Sequence, residues 1–283
     1  MTSPLEPRLN AWRADIANVR LKGRVESARF VEGEVRRVIA PSAPLKRVAR
    51  ADAGLDSEVL RGERFRVFED SGEGWSWGQL ETDAYVGYVP TDALGALPPG
   101  PTHRVTALRT FIYSGPDMKL PAEASLSIGA RVAVTDFVET RGASYGLLAG
   151  GEGALFASHL ALVDAPPEPD FVAVAERFIN APYLWGGRTS LGLDCSALVQ
   201  LSLMAAGVPA SRDTDLQESS LGATVTDKSW RRGDLLYWKG HVGILTAPGR
   251  MVHASGHHMT VVAEPLETVL GRIGLPASVK RIG

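Results

Sequence analysis

The sequence contains a single cysteine, Cys195, inside the run APYLWGGRTSLGLDCSA at residues 181–197. Apolar residues continue through Leu198, Val199, Leu201, Leu203 and Met204 until Gly207. The pattern predicts a glycine-rich loop feeding a helix, with Asp194 as the N-cap and Cys195 on the first turn. A thiol there stands among free backbone N–H groups at the positive end of the helix dipole. Both favour the thiolate, which is the nucleophilic form. A solitary cysteine is also commonly a small buried hydrophobe, so the histidines must decide between the two.

Two histidines fall in strand-like segments. Residues 239–245 (KGHVGIL) and 251–255 (MVHAS) read as consecutive strands, and Pro248-Gly249 between them reads as a tight turn. Side chains alternate faces along a strand. His241 shares a face with Gly243 and Leu245, and His253 shares one with Met251. Antiparallel pairing sets both imidazoles side by side. A cysteine at a helix start facing two strand histidines supplies a nucleophile, a base and an orienting group. The expected chemistry is attack on an amide carbonyl. A thioester forms, and His241 takes the thiol proton and hands it to the leaving amine. His253 orients His241. The Cys195 N–H is an oxyanion donor, a contact worth about 3 kcal/mol of barrier. Tyr183 either adds a phenol hydrogen bond near the thiol or packs the Pro182 turn. Adjacent His257-His258 cannot both point into one site from a regular strand, and no metal-ligand spacing occurs, so neither a metal nor a cofactor is expected. His103 and His159 read as structural.

These residues carry a resemblance. Pro182-Tyr183-x-Trp185-Gly186-Gly187, Asp194-Cys195-Ser196, Gly233-Asp234-Leu235, Gly240-His241-Val242-Gly243-Ile244 and His253-Ala254 occur in order, and residues 170–283 are similar to the NlpC-type cysteine peptidases. These are papain-like hydrolases of bacterial cell-wall peptides. Ala197 stands where that family usually has glycine.

The rest of the chain must position this site. Its 283 residues suggest about two domains as a prior. A hydrophobic content of 45%, a charged content of 22% and a net charge of −2 are ordinary for a globular protein. They give no reason to expect nucleic acid or an anionic membrane as partner. One cysteine excludes an internal disulfide framework. No apolar run approaches the roughly 18 residues of a spanning helix. The first residues lack an apolar leader, so a cytoplasmic protein is expected.

Leu5, Leu9, Trp12, Ile16 and Val19 recur at helical spacing, predicting an amphipathic helix in the N-terminal segment, residues 1–29. From residue 30 to 97, short alternating segments separated by glycine-rich turns predict a small barrel. Gly62-Glu63, Trp75-Ser76-Trp77 and Tyr85-Val86-Gly87-Tyr88-Val89 resemble bacterial SH3-like domains. The stiff run Leu97-Pro98-Pro99-Gly100-Pro101 follows. Residues 102–164 repeat the pattern more weakly, predicting a second SH3-like barrel, and Ala165-Pro166-Pro167-Glu168-Pro169 links it to the last module. That module opens with a helix capped by Asp170. The fold class is α+β: a papain-like C-terminal domain behind two small barrels and an N-terminal helix.

The resemblance also implies a substrate. NlpC-type enzymes preceded by SH3-like domains resemble γ-D-glutamyl-L-diamino-acid endopeptidases, which release L-Ala-γ-D-Glu from murein peptides with a free N-terminal amine. The residue matches imply that Asp213 and Tyr85 bind this amine, with Glu58 as the nearest candidate for a further carboxylate. An ammonium in a partly closed pocket needs such partners to offset desolvation. Asp194 and Ser196 flank the nucleophile and are candidate peptide contacts, although N-capping alone also explains Asp194. On this reading the first barrel walls off one end of the cleft, and the enzyme recycles cell-wall peptides. Two alternatives stay open: another acyl-transfer enzyme on the same fold, and a non-catalytic binding module.

Overall fold

The structure, a computed structural model, describes residues 5–97, 99–227 and 229–283. The first four residues of the expected N-terminal helix and Pro98 of the expected linker lie outside the described residues. The chain divides into two compact units, one ending at Ala165 and the other beginning at Pro166. No helix among the described residues is long and apolar enough to cross a membrane.

The N-terminal segment does not form the helix that its apolar spacing predicts. It runs through turns into a two-residue strand, Ala17–Asn18, paired in parallel with Phe30–Val31, and a single 3-10 turn, Val19–Leu21. The physical reason is local competition plus a better use of the apolar groups. The Asn18 side chain accepts from Arg20 N–H, and Asn10 donates to the Glu6 carbonyl, so both side chains satisfy the backbone in non-helical form. Ala11 and Ile16 are buried against Phe68 and Trp77, whereas Trp12 and Val19 are exposed. Arg13 lies 4.4 Å above the Trp77 ring.

The first β module closes an antiparallel sheet in the order Val86–Pro90, Trp75–Leu80, Arg64–Asp70, Glu34–Val38, Leu94–Gly95, with a hairpin of Ser42–Leu45 and Ser57–Leu60. Alternation sends Val38, Leu45, Val59, Phe65, Leu80 and Val89 into one core. Gly62, in the turn before Arg64–Asp70, has φ +83°, and a Cβ there would fall 2.3 Å from the Arg131 carbonyl oxygen, so glycine is required.

The second module repeats this pairing scheme. His103–Val105 pairs with Leu160–Leu162 as Glu34–Val38 pairs with Leu94–Gly95. Val134–Thr140, Ala143–Leu148 and Ala154–Phe156 meander as Arg64–Asp70, Trp75–Leu80 and Val86–Pro90 do. Arg109–Tyr113 and Ala122–Ser127 form the matching hairpin. Leu126, Leu155, Val132 and Ile112 fill its core.

The second unit holds four helices among its described residues: α1 (Phe171–Arg177), α2 (Cys195–Ala205), α3 (Thr214–Ser220) and α4 (Leu266–Ile273). Its sheet runs Ala223–Thr224, Ser278–Arg281, Asp234–Trp238, His241–Ala247, Arg250–Ser255, Thr260–Pro265, with neighbours antiparallel. α2 is buried from Cys195 to Leu203 and packs against α1 and the two histidine-bearing strands. Helix and sheet therefore carry the two halves of the site as one packed body.

Candidate active site

Asp194 caps α2, and its carboxylate organises the loop around the cysteine. Oδ1 accepts from Ala197 N–H at 2.8 Å and Ser196 Oγ at 3.0 Å, and Oδ2 accepts from Gly186 N–H at 3.0 Å. Arg212, fully buried, completes the set with two bonds to the same carboxylate, 2.9 and 2.7 Å, and further bonds to Ser196 Oγ and the Gly187 carbonyl. A buried charge must be paired and hydrogen-bonded, and here each partner satisfies the other. Gly187 cannot carry a side chain, because a Cβ would lie 2.4 Å from the Gly192 carbonyl oxygen across the hairpin.

This arrangement engages both residues that flank the nucleophile. The Asp194 carboxylate is spent on the cap, the loop and Arg212, and Ser196 Oγ is held between Asp194 and Arg212. Both side chains hold the nucleophile's loop in place.

Cys195 sits on the first turn of α2, 6% exposed. Its sulfur lies 3.9 Å from Thr214 Oγ1 and 4.0 Å from the Gly240 carbonyl, and Val242 N–H donates to it. It is thus held against the backbone on both sides of His241. The strands carry the histidines as their alternation requires. Leu245 pairs with Met251 and Ile244 with Val252, which sets His241 and His253 diagonally on one face. His241 Nε2 is 2.8 Å from His253 Nδ1.

The relay continues one strand further, to a residue that the sequence reading missed. His253 Nε2 is 2.7 Å from Glu264 Oε1. Glu264 also accepts from Arg272 at 2.7 and 3.1 Å and sits 3.2 Å from His258 Nε2. A carboxylate only accepts, so His253 carries its proton on Nε2 and its Nδ1 is an acceptor. His241 then donates from Nε2, which leaves its Nδ1 lone pair bare. That nitrogen is the base available to the thiol. Strand pairing gave the available signal for Glu264: it lies opposite Met251, two residues from the Val262–His253 pair and on the same face.

The electrostatics revise the expected thiolate. Burial pushes the Cys195 thiol up to about 11, and the Asp194 charge adds to this, against the opposing pull of Val242 N–H, the Thr214 hydroxyl and Arg212. Burial lowers His241 to about 4, helped by His253 and Arg272 and opposed by Glu264. Desolvation exceeds the helix-end effect, and the resting pair is neutral thiol and neutral imidazole. Glu264 is held down at about 2, chiefly by its Arg272 hydrogen bonds, and so stays ionised. Tyr183 is raised to about 12 by burial, with Cys195 and Asp194 adding to it. Its phenol is therefore neutral and a potential hydrogen-bond donor at ordinary pH.

The remaining candidates fall in both units. Asp213 occupies the N-cap position of α3 with no capping bond from its side chain. Tyr85 belongs to the buried core of the first β module, and Glu58, on Ser57–Leu60, pairs across the hairpin with Pro44. His257 and His258 lie in the turn after Gly256, and His258 reaches Glu264. His159 Nδ1 bonds Thr110 Oγ1, a structural role. No group of metal-binding side chains occurs among the described residues.

Residues 180–270 match the NlpC/P60 family, and residues 46–94 match the bacterial dipeptidyl-peptidase Sh3 domain. Over 114 residues the chain is 33% identical to a dipeptidyl-peptidase 6 of Lysinibacillus sphaericus, covering 40% of this chain and 42% of that protein. It is 27% identical over 114 residues to a gamma-D-glutamyl-L-lysine dipeptidyl-peptidase of Bacillus cereus, covering 38% and 34%. These matches thus span less than half the length of either relative. An NlpC/P60 family protein of Bacillus cereus shares the fold at TM-score 0.73 and 19% identity, over 88% of this chain and 99% of that one. An NlpC/P60 endopeptidase of Photobacterium damselae subsp. piscicida shares it at 0.57 and 13%, over 94% and 75%.

Proposed function

We propose that this chain, which joins an NlpC/P60 domain to a bacterial dipeptidyl-peptidase Sh3 domain, is a cysteine peptidase that cuts cell-wall peptides after γ-D-glutamyl. It releases L-Ala-γ-D-Glu from peptides with a free N-terminal L-Ala. One observation carries the catalytic part: Cys195 heads α2 against the backbone flanking His241, whose free Nδ1 is fixed by the relay to His253 and Glu264.

In the first step the Cys195 S–H proton passes to His241 Nδ1 as sulfur bonds to the γ-glutamyl carbonyl carbon. Because the resting pair is neutral, transfer and attack are coupled, and no standing thiolate is needed. The carbonyl oxygen gains the negative charge and meets the Cys195 N–H at the head of α2. Tyr183 is a second donor to the same region. Collapse expels the amine, which takes the proton from His241 and leaves a thioester. Water then gives a proton to His241, and its oxygen attacks the thioester carbonyl. The proton returns to sulfur, and the acid product leaves. His253 and Glu264 stabilise the imidazolium in both halves of the cycle.

The substrate part rests on the resemblance and on the relatives' similarity. In this reading Asp213, Tyr85 and Glu58 bind the substrate ammonium, and the second β module is a further SH3-like barrel. A free-amine requirement suits short peptides being recycled in the cytoplasm rather than intact wall. The test is mass-resolved digestion of L-Ala-γ-D-Glu-L-Lys and its diaminopimelate counterpart by wild type and Cys195→Ala, with N-acetylated controls. The expected result is dipeptide release by wild type alone, blocked by acetylation. Equal cleavage of acetylated peptide removes the amine-binding roles. A different acyl product would favour another acyl-transfer enzyme.

A further inference from the structure

The two β modules of the first unit meet backbone to backbone. Arg131 N–H donates to the Arg61 carbonyl at 2.8 Å, and Gly62 packs against the Arg131 carbonyl with no room for a side chain. A pocket of about 160 Å³ opens at this seam, lined by Arg37, Arg61, Arg131 and Glu152, with Pro99 and Leu148 on its apolar wall, among others. Among the described residues lining it, three arginines stand against one glutamate, so its walls carry an excess of two positive charges.

Glu152 neutralises only one of these cations. Its carboxylate accepts from Arg61, which also donates to the Ile39 carbonyl. Arg37 meets no carboxylate among the described residues. Its Nε donates to the Leu97 carbonyl at 2.7 Å and its Nη1 to the Gly62 carbonyl at 3.1 Å. Two carbonyls fix the plane of the guanidinium without neutralising it, and Nη2 makes no hydrogen bond among the described residues. Arg131 is exposed, and its side chain has no hydrogen bond or ion pair among the described residues. Burial and the charges of Arg64 and Arg131 lower the Arg37 pKa, so these cations lie close enough to repel one another. Arg64 pairs with Glu81 and does not line the pocket. Arg37 and Arg131 are thus left as neighbouring cations without a counter-charge.

We propose that this seam is a binding site for a phosphoryl group, held as a dianion between Arg37 and Arg131. Charge, shape and size select that chemistry. Two unneutralised guanidinium groups match two negative charges, which a phosphate supplies near neutral pH and a single carboxylate does not. Guanidinium forks bond phosphate oxygens in pairs. The volume suits one small oxyanion and falls below the roughly 300–1,000 Å³ of pockets that enclose whole organic ligands. The phosphoryl group comes either as the free ion or as an ester, whose carbon chain would lie along Pro99 and Leu148. The lining residues all belong to the first unit, so the site stands independently of the peptidase reading.

The experiment titrates inorganic phosphate, glycerol phosphate and acetate into the full chain, read by calorimetry and by the shift in thermal midpoint. The expected result is one saturable phosphate site per chain, with acetate at least about tenfold weaker. Arg131→Glu and Arg37→Gln each weaken phosphate at least about tenfold. Lys119→Glu makes the same charge change as Arg131→Glu at an exposed position of the second module outside the pocket, and leaves Kd within about twofold. Arg131 has no side-chain partner to lose, so Arg131→Glu keeps the fold, and its thermal midpoint without phosphate checks this. Tighter binding of glycerol phosphate identifies an esterified group, and equal or weaker binding identifies the free ion; either supports the site. No saturable phosphate binding by both readouts overturns it. So does a Kd that Arg131→Glu leaves unchanged or that Lys119→Glu shifts equally.

Discussion

Replacing Glu264 by glutamine tests the relay at its far end, away from the reacting atoms. The carboxylate accepts from His253 Nε2 at 2.7 Å and thereby sets the proton position on both rings. Glutamine has nearly the same shape but can present an N–H₂. If it donates to His253 Nε2, the order of donors reverses. His253 then donates from Nδ1 to His241 Nε2 across the 2.8 Å contact. The His241 proton moves to Nδ1, where the base is needed. Even without reversal, the imidazolium loses one charge-assisted hydrogen bond along the chain. Such a bond is worth about 1.5–3 kcal/mol, or tenfold to about a hundredfold in kcat. Wrong-tautomer trapping adds to this, as it does when a triad carboxylate becomes an amide. The assay is steady-state kinetics on the γ-D-glutamyl peptide, combined with imidazole ¹⁵N spectra of both variants. The expected outcome is a fall in kcat of at least tenfold with KM little changed, and a shift of the His253 nitrogens. A variant with kcat within twofold of wild type and unchanged ring nitrogens would refute the relay argument.

Three further outcomes follow from the same geometry. Arg212→Met leaves the Asp194 carboxylate buried and half-paired, so unfolding free energy should fall by about 3–5 kcal/mol in urea titrations; a loss below 1 kcal/mol contradicts the pairing. His241 has its pKa lowered from 6.5 to about 4, so between those values the native state binds fewer protons than the unfolded state. Stability should therefore be complete above pH 6.5 and decline as pH falls towards 4, by roughly 3 kcal/mol from this group. His241→Gln should flatten that window, and an unchanged slope speaks against it. Alkylation of Cys195 by iodoacetamide should keep accelerating from neutral pH to pH 10, since the thiol titrates at about 11; a plateau below pH 7 would show a standing thiolate instead.

The site was legible in the sequence wherever one local rule settled the geometry. Asp194 before an apolar run fixed the cap and placed Cys195 on the first turn of α2. Two strands across a Pro-Gly turn, with period-two alternation, were enough to bring His241 and His253 together. Glu264 escaped because its role depends on the register of a third strand, which alternation alone does not specify. Arg212 escaped because burial of an arginine is decided by a partner eighteen positions away, and a polar loop gives no sign of it. The thiolate expectation failed for a related reason. The helix end is visible in the sequence, whereas the desolvation that outweighs it arises only when α2 and the sheet pack together. In the N-terminal segment, apolar spacing suggested a helix, but the Asn18 and Asn10 bonds and the packing of Ile16 on Trp77 made a non-helical path more favourable.

The most direct test of covalent catalysis by Cys195 is an intact-protein mass spectrum after rapid acid quench of the full chain with L-Ala-γ-D-Glu-L-Lys or its diaminopimelate counterpart. The expected result is a transient adduct equal in mass to the L-Ala-γ-D-Glu acyl group, mapped to Cys195 and absent from Cys195→Ala. Dipeptide release that persists in Cys195→Ala, with no acyl adduct on the wild-type chain, would contradict it.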